Sequence, residues 1–428
     1  MREILFKYEM PPTTWVYVSA LLIIGMFFKF NRFFSIRNLD LLALIVLSPG
    51  LLLLYYNLQQ LGYVWLFLVG GLFLVRLLVD PVMARRPLLE PNVNASALTF
   101  NGVAIWIFLM SNVVQGIEIM AVDAEPAGRP RVEVRAPGFK PFLEFALLSR
   151  PSDAPNPAAP PEAVPGAQFG QAAARAAAVL AQLAVVLGMI LIGYRHFGNI
   201  QTGVAAASLY LLLPYTAFLT ARVDHVIPAA LLVWAVAAYR RPVLSGALVG
   251  LAGGLVFYPL FLLPLWCSYY WQRGLIRFAV SAVGVFLVLV MALVLSADSV
   301  AAMAGRLQEM SGWTTLWLRG ADGFWEYHEP AFRYPVLAGF VVLCGSLALW
   351  PPHKNLGTLL SCSTAVMLGA QFWHTHQGGL YMGWYLPLLV LTIFRPNLED
   401  RVALSAVIER RSLWRRPPSA TAPSLTPS

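Results

Sequence analysis

The chain has 428 residues, 58% hydrophobic and only 12% charged, with a formal net charge of +9. A soluble domain carries about 25% charged residues, so the composition excludes an ordinary soluble fold, and the long unbroken apolar runs exclude a β-barrel, whose strands alternate over short segments. The basic residues are split among many loops instead of gathered in one patch, which removes nucleic acid as a partner.

In chain order, the apolar runs predict spans at 14–30, 39–56, 62–79, 97–115, 174–194, 200–219, 226–239, 244–257, 258–271, 276–296, 335–350, 356–372 and 378–394. The fold class is therefore an all-α, polytopic membrane protein with about 13 transmembrane helices. The count falls to 12 if 244–271 is one tilted helix, but Pro259 and Pro264 argue for a break there. The first run lacks a small-residue cleavage site and reads as a retained helix. The spans 226–239 and 244–257 are short, roughly 21 Å each against a hydrocarbon core of about 30 Å. They are expected to be sunk, bent or beside a water-filled cavity.

Three units follow from this layout: an N-terminal three-helix membrane segment (1–96), a membrane core (97–394) and a basic tail (395–428) that ends in a disordered stretch. Lys and Arg orient the chain. With the loops 29–38, 76–96, 195–199, 240–243, 272–277 and 351–355 and the tail placed inside, most of the 30 Lys and Arg residues are cytoplasmic. The expectation is an integral protein of a bacterial-type inner or plasma membrane, N-terminus outside and C-terminus cytoplasmic. Two large loops, 116–173 and 297–334, then face outward.

The first outer loop opens with Glu118, Asp123 and Glu125. Carboxylates just outside the membrane can hold a divalent cation through hard oxygens or take a proton from an attacking hydroxyl; a solvated acidic loop start is the plainer reading. The stretch "TARVDHVIP" sets Arg222, Asp224 and His225 between two apolar runs. Charges at membrane depth are costly and are usually paired or functional. Either Arg222 and Asp224 pair at a hairpin tip, or the three line a sunken ligand site.

In "SGALVGLAGG", Gly246, Gly250 and Gly254 recur every four residues, the pattern of a helix face where backbones approach closely. The second outer loop gathers Trp313, Trp317, Trp325, Tyr327, His328, Arg319 and Arg333, and "WHTHQGGLYMGWYLP" adds His374, His376, Tyr381, Trp384 and Tyr385 on the same side. Trp and Tyr concentrate at membrane interfaces without further role; aromatic faces with an Arg also suit a sugar or a phosphate headgroup. The His-x-His pair has no evident third ligand, so no metal centre is predicted. Cys267, Cys344 and Cys362 are far apart, form no CxxC and read as small buried hydrophobes. Every candidate group falls on the outer side, which points to a site opening outward at the membrane boundary.

From Arg175 to Trp266 the order of features resembles the polytopic GT-C glycosyltransferases, which use polyprenyl-phosphate-linked sugars. A span ends in "GYRHFGN" and the next in "LYLLLPYTAF"; Asp224 follows, then "YRRPVLSGALVGLAGG" and "FYPLFLLPLW". The resemblance implies a GT-C-like helical bundle with two large outer loops and a polyprenyl-phosphate-sugar donor. It implies Asp123 as base, with Glu125 as support or as ligand to a divalent cation. Arg222, Asp224, His225, Trp325 and Arg333 would bind substrate, with the cations on the phosphate. The chain departs from the pattern at Phe257, where a Lys often stands, in having Asp-Ala-Glu instead of adjacent acids, and in its three extra N-terminal spans. The implied partners are membrane lipid and a lipid-linked sugar. Two rivals predict other features. A lipid or solute transporter needs ionisable groups buried mid-span and often two related halves. A non-catalytic scaffold or assembly protein would bind a protein partner through the aromatic outer loop.

Overall fold

The computed structural model describes residues 11–83, 90–115, 165–220, 222–295, 301, 304, 323–352, 354–374 and 377–398. Among the described residues the protein is all-helical, without a β-strand. Six helices of the described residues are long and apolar enough to cross a membrane, so the chain reads as an integral membrane protein. In lipid every backbone N–H and C=O must be satisfied within the segment, which a helix does.

The N-terminal helices are α1 (Pro12–Phe27), α2 (Ile36–Tyr55) and α3 (Gln59–Val79). Ser35 caps α2 by accepting from the Asn38 amide, which satisfies an N–H that the helix leaves open. Helix α4 (Ala95–Gln115) precedes α5 (Pro165–Arg195), and Gly198, in the left-handed region at φ 75°, turns the chain into α6 (Ile200–Leu212). The apolar run to Leu219 does not continue as one helix. It stops at Leu213 and restarts as the short α7 (Pro214–Phe218), because Pro214 has no N–H to donate and disfavours helical backbone at the residue before it.

Helix α8 (Val223–Ala237) and α9 (Pro242–Leu255) are the short pair anticipated from the sequence. Next comes a 3-10 turn over Tyr258–Leu262 and the short α10 (Leu263–Tyr269), so the prolines do break this region. The remaining helices are α11 (Leu275–Leu295), α12 (Arg333–Leu349), α13 (Leu356–Trp373) and α14 (Leu386–Phe394). The run 378–394 is helical only in its second half and at a 3-10 turn over Met382–Trp384; the rest is the loop that carries the site. Asn355 and Thr358 form a capping box at the start of α13. Next to it the Lys354 Nζ donates to the carbonyls of Ala348 and Pro351, and burial pushes its ammonium down from the ordinary lysine range.

Helix α13 is the centre of the bundle: 94% of its apolar window is buried, against 17% for α11, which lies at the rim. Small residues let the helices meet backbone to backbone. A Cβ at Gly246 or Gly250 would strike the backbone of Phe278 or Ala282 on α11, and Gly193 and Gly203 touch across α5 and α6. At one end, an ion network ties the first helices to the last. Arg76 grips Asp40 through two bonds of 2.8 and 2.9 Å and reaches Asp80 at 2.9 Å, while Arg395 reaches the other Asp80 oxygen at 2.5 Å.

Candidate functional site

The site is built from three stretches far apart in sequence: the α7–α8 turn, Tyr258 after α9, and the segment from the end of α13 to Tyr385. Pro214 starts α7 and so sets Tyr215 in the core. The chain turns, and Asp224 and His225 occupy the first turn of α8. A carboxylate is favourable there, next to the unpaired N–H groups and the positive end of the helix dipole. Both residues are buried, Asp224 at 4% exposure and His225 at 2%.

Tyr215 is the hub. Its oxygen lies 2.6 Å from the Leu380 carbonyl and 2.7 Å from His225 Nδ1, and it accepts from the Gly383 amide at 2.9 Å. Gly383 packs so closely on His225 that an added Cβ would lie 3.1 Å from the His225 Cβ. Trp384 donates its indole N–H to the Asp224 carbonyl at 3.0 Å, and Gln371 Oε1 accepts from the amides of Gly379 and Tyr381 at 3.2 Å each. These bonds pin the 377–385 segment against the start of α8.

A continuous chain of rings runs from this point. His225 lies 4.8 Å from Tyr381, Tyr381 4.5 Å from Trp384, Trp384 5.2 Å from Tyr258, and Tyr258 5.2 Å from Trp373 and 5.0 Å from His374. Arg333 donates to the Trp373 carbonyl at 3.3 Å, and Trp325 to the Phe372 carbonyl at 3.0 Å.

Arg222, Asp224 and His225 are together: Arg222 Nε stands 3.5 Å from Asp224 Oδ1, and His225 Nε2 stands 3.6 Å from Asp224 Oδ2. The ion pair foreseen for the hairpin tip is present, and Asp224 is sunk instead of solvated. Trp325 and Arg333 join the same assembly at its far edge, through the last turn of α13. The sequence reading left out Tyr215, Gln371 and Tyr258 as site residues; their only signal is a polar atom inside "LLLPYTAF", "LGAQFW" and "FYPLF". Asp123, Glu125 and Glu118, and likewise Trp313, Trp317, Arg319 and His376, lie outside the described residues.

Buried polar groups are normally hydrogen-bonded. Here Asp224 Oδ2, His225 Nε2, Tyr258 Oη, Trp373 Nε1 and Gln371 Nε2 are shielded from solvent and have no hydrogen-bond partner among the described residues. Such atoms are costly unless a ligand or a proton engages them. Aromatic faces with a few convergent polar groups are the chemistry of a small-molecule or sugar site. Among the described residues no group of three or more His, Cys, Asp or Glu could hold a metal ion. No family model, no curated protein and no solved structure matches the chain.

Proposed function

We propose that the protein is a GT-C-like membrane glycosyltransferase that moves a sugar from a polyprenyl-phosphate donor to an acceptor on the outer face of the membrane. The observation that carries the reading is the assembly of Asp224, His225, Tyr258, Tyr381 and Trp384 from three distant stretches, with Asp224 Oδ2, His225 Nε2 and Tyr258 Oη lacking a hydrogen-bond partner among the described residues beside stacked rings. Aromatic faces take the apolar face of a sugar ring, and carboxylate and imidazole accept from its hydroxyls. Arg222 and Arg333 are the cations proposed for the phosphate, where fixed positive charge stabilises the leaving group. Asp123 and Glu125 supply a base or hold a divalent cation, the two uses of hard carboxylate oxygens in such a loop. The same reading proposes about thirteen spans, a bacterial-type inner or plasma membrane, N-terminus outside and C-terminus inside.

The reading is tested with purified protein in liposomes carrying undecaprenyl-phosphate sugars labelled in the sugar. Transfer of label to an acceptor, lost in Asp224→Asn, supports it. Label that accumulates inside the vesicles without a new bond favours a second reading, a lipid or solute transporter. The one observation that bears on this alternative is the Asp40–Arg76–Asp80–Arg395 network, a cluster of ionisable groups at one end of the bundle with Asp40, Asp80 and Arg395 buried.

A further inference from the structure

The hydrogen bonds around Tyr215 decide where the proton of His225 sits. A tyrosine hydroxyl has one proton to give and two lone pairs to receive. The Leu380 carbonyl, 2.6 Å away, brings no proton, so the Tyr215 proton lies on that contact. The Gly383 N–H donates to Tyr215. The third contact, 2.7 Å to His225 Nδ1, is a hydrogen bond only if Nδ1 carries a proton and donates it. The neutral ring is therefore the Nδ1–H tautomer, and its Nε2 keeps a bare lone pair. Nε2 and Asp224 Oδ2 face each other at 3.6 Å, both buried and both without a hydrogen-bond partner among the described residues. Two acceptors so placed repel until a proton comes between them.

We propose that His225 is the proton acceptor of this site, with Tyr215 and Asp224 as positioning residues. The inference rests on the reading of the cluster as a site of glycosyl transfer. Nε2 takes the proton of the acceptor hydroxyl as the hydroxyl oxygen bonds to the anomeric carbon. The bond from that carbon to the phosphate oxygen breaks, and its electron pair leaves with the lipid phosphate. The imidazolium stands against the Asp224 carboxylate until it gives the proton to water on the outer side. The titratable and charged groups that face His225 are Asp224 and Arg222 beside it in sequence, Tyr215 from α7 and Tyr381 from the 377–385 segment, with Tyr385 beyond Tyr215.

The test is NMR on the full-length protein in lipid nanodiscs, with histidine labelled by 15N in the ring and the His225 signals assigned by their loss in His225→Gln. The expected result at pH 7 is a proton on Nδ1 and none on Nε2, with that preference lost in Tyr215→Phe. A proton on Nε2 of the wild-type protein at pH 7, alone or with one on Nδ1, overturns the proposal; in the spectra His225→Gln serves only to assign the signal, and through-bond correlation to the His225 backbone assigns it where that variant does not fold. In the transfer assay His225→Gln is expected to lower kcat about 100-fold or more and Tyr215→Phe to lower kcat with the donor KM unchanged. Full kcat in His225→Gln also overturns it. A wild-type protein that shows the expected tautomer but transfers no sugar sinks the glycosyltransferase reading and leaves the tautomer and its bare Nε2 standing.

Discussion

Tyr215 and His225 are joined by a 2.7 Å hydrogen bond between two buried side chains, and the same hydroxyl holds the backbone at Leu380 and Gly383. One oxygen thus fastens α7, α8 and the loop before α14 at a single point. Replacing Tyr215 by Phe keeps the ring and removes all three bonds. The expected loss of stability is at least about 2 kcal/mol, since each buried group left unpaired costs about 1–3 kcal/mol. Thermal unfolding in detergent measures it; an unchanged midpoint would show that the hub carries no weight.

Arg395 and Asp80 lie 2.5 Å apart, both buried. Removing Arg395 leaves the buried Asp80 with Arg76 as a remaining ion partner, so Arg395→Met is expected to destabilise by about 1–3 kcal/mol, the cost of one lost buried charged contact. The double variant Arg395→Met with Asp80→Asn is expected to recover part of that loss. A double-mutant cycle on unfolding midpoints reads the coupling; simple additivity would mean that the two do not depend on each other.

Gly250 and Gly284 form a matched pair of tests. A Cβ at Gly250 would meet the Ala282 backbone, whereas one at Gly284 meets nothing within 4 Å. Gly250→Ala is expected to push α9 from α11 at a cost of about 1–3 kcal/mol. Gly284→Ala is expected to be neutral or slightly stabilising, because alanine is the better helix former by about 1 kcal/mol. Equal effects in the two variants would contradict this packing.

Asp123→Asn and Glu125→Gln together are expected to reduce sugar transfer about 100-fold or more, whether they act as base or through a cation. Their combined replacement with full activity kept would remove both from the chemistry. Added chelator separates the two uses: a cation role makes wild-type activity fall on chelation and return with added divalent metal.

The helical class is plain from the apolar runs, and the glycine face of α9 from a four-residue period, because both signals are local. Arg222, Asp224 and His225 also stand out locally, as charges where none are cheap. What local pattern hides is long-range pairing. Tyr215 meets Leu380 across 165 positions, and nothing near Tyr215 marks it as different from an interfacial tyrosine. Likewise the break at Pro214 is invisible to hydropathy, since proline in an apolar run leaves the run apolar. Arg76 and Asp80 are legible as a pair four apart; that Asp40 and Arg395 complete the network is not, because each lies at the edge of a different helix.

The bond from Asp80 to Arg395 spans 315 positions, and this has a consequence for how the chain is made. The ribosome delivers Asp80 to the membrane long before Arg395 exists. Through most of synthesis the early helices must wait with that carboxylate lacking its bond to Arg395. That bond therefore forms only after residue 395 has left the ribosome. A chain stopped before that point carries all six long apolar helices of the described residues yet lacks this clasp.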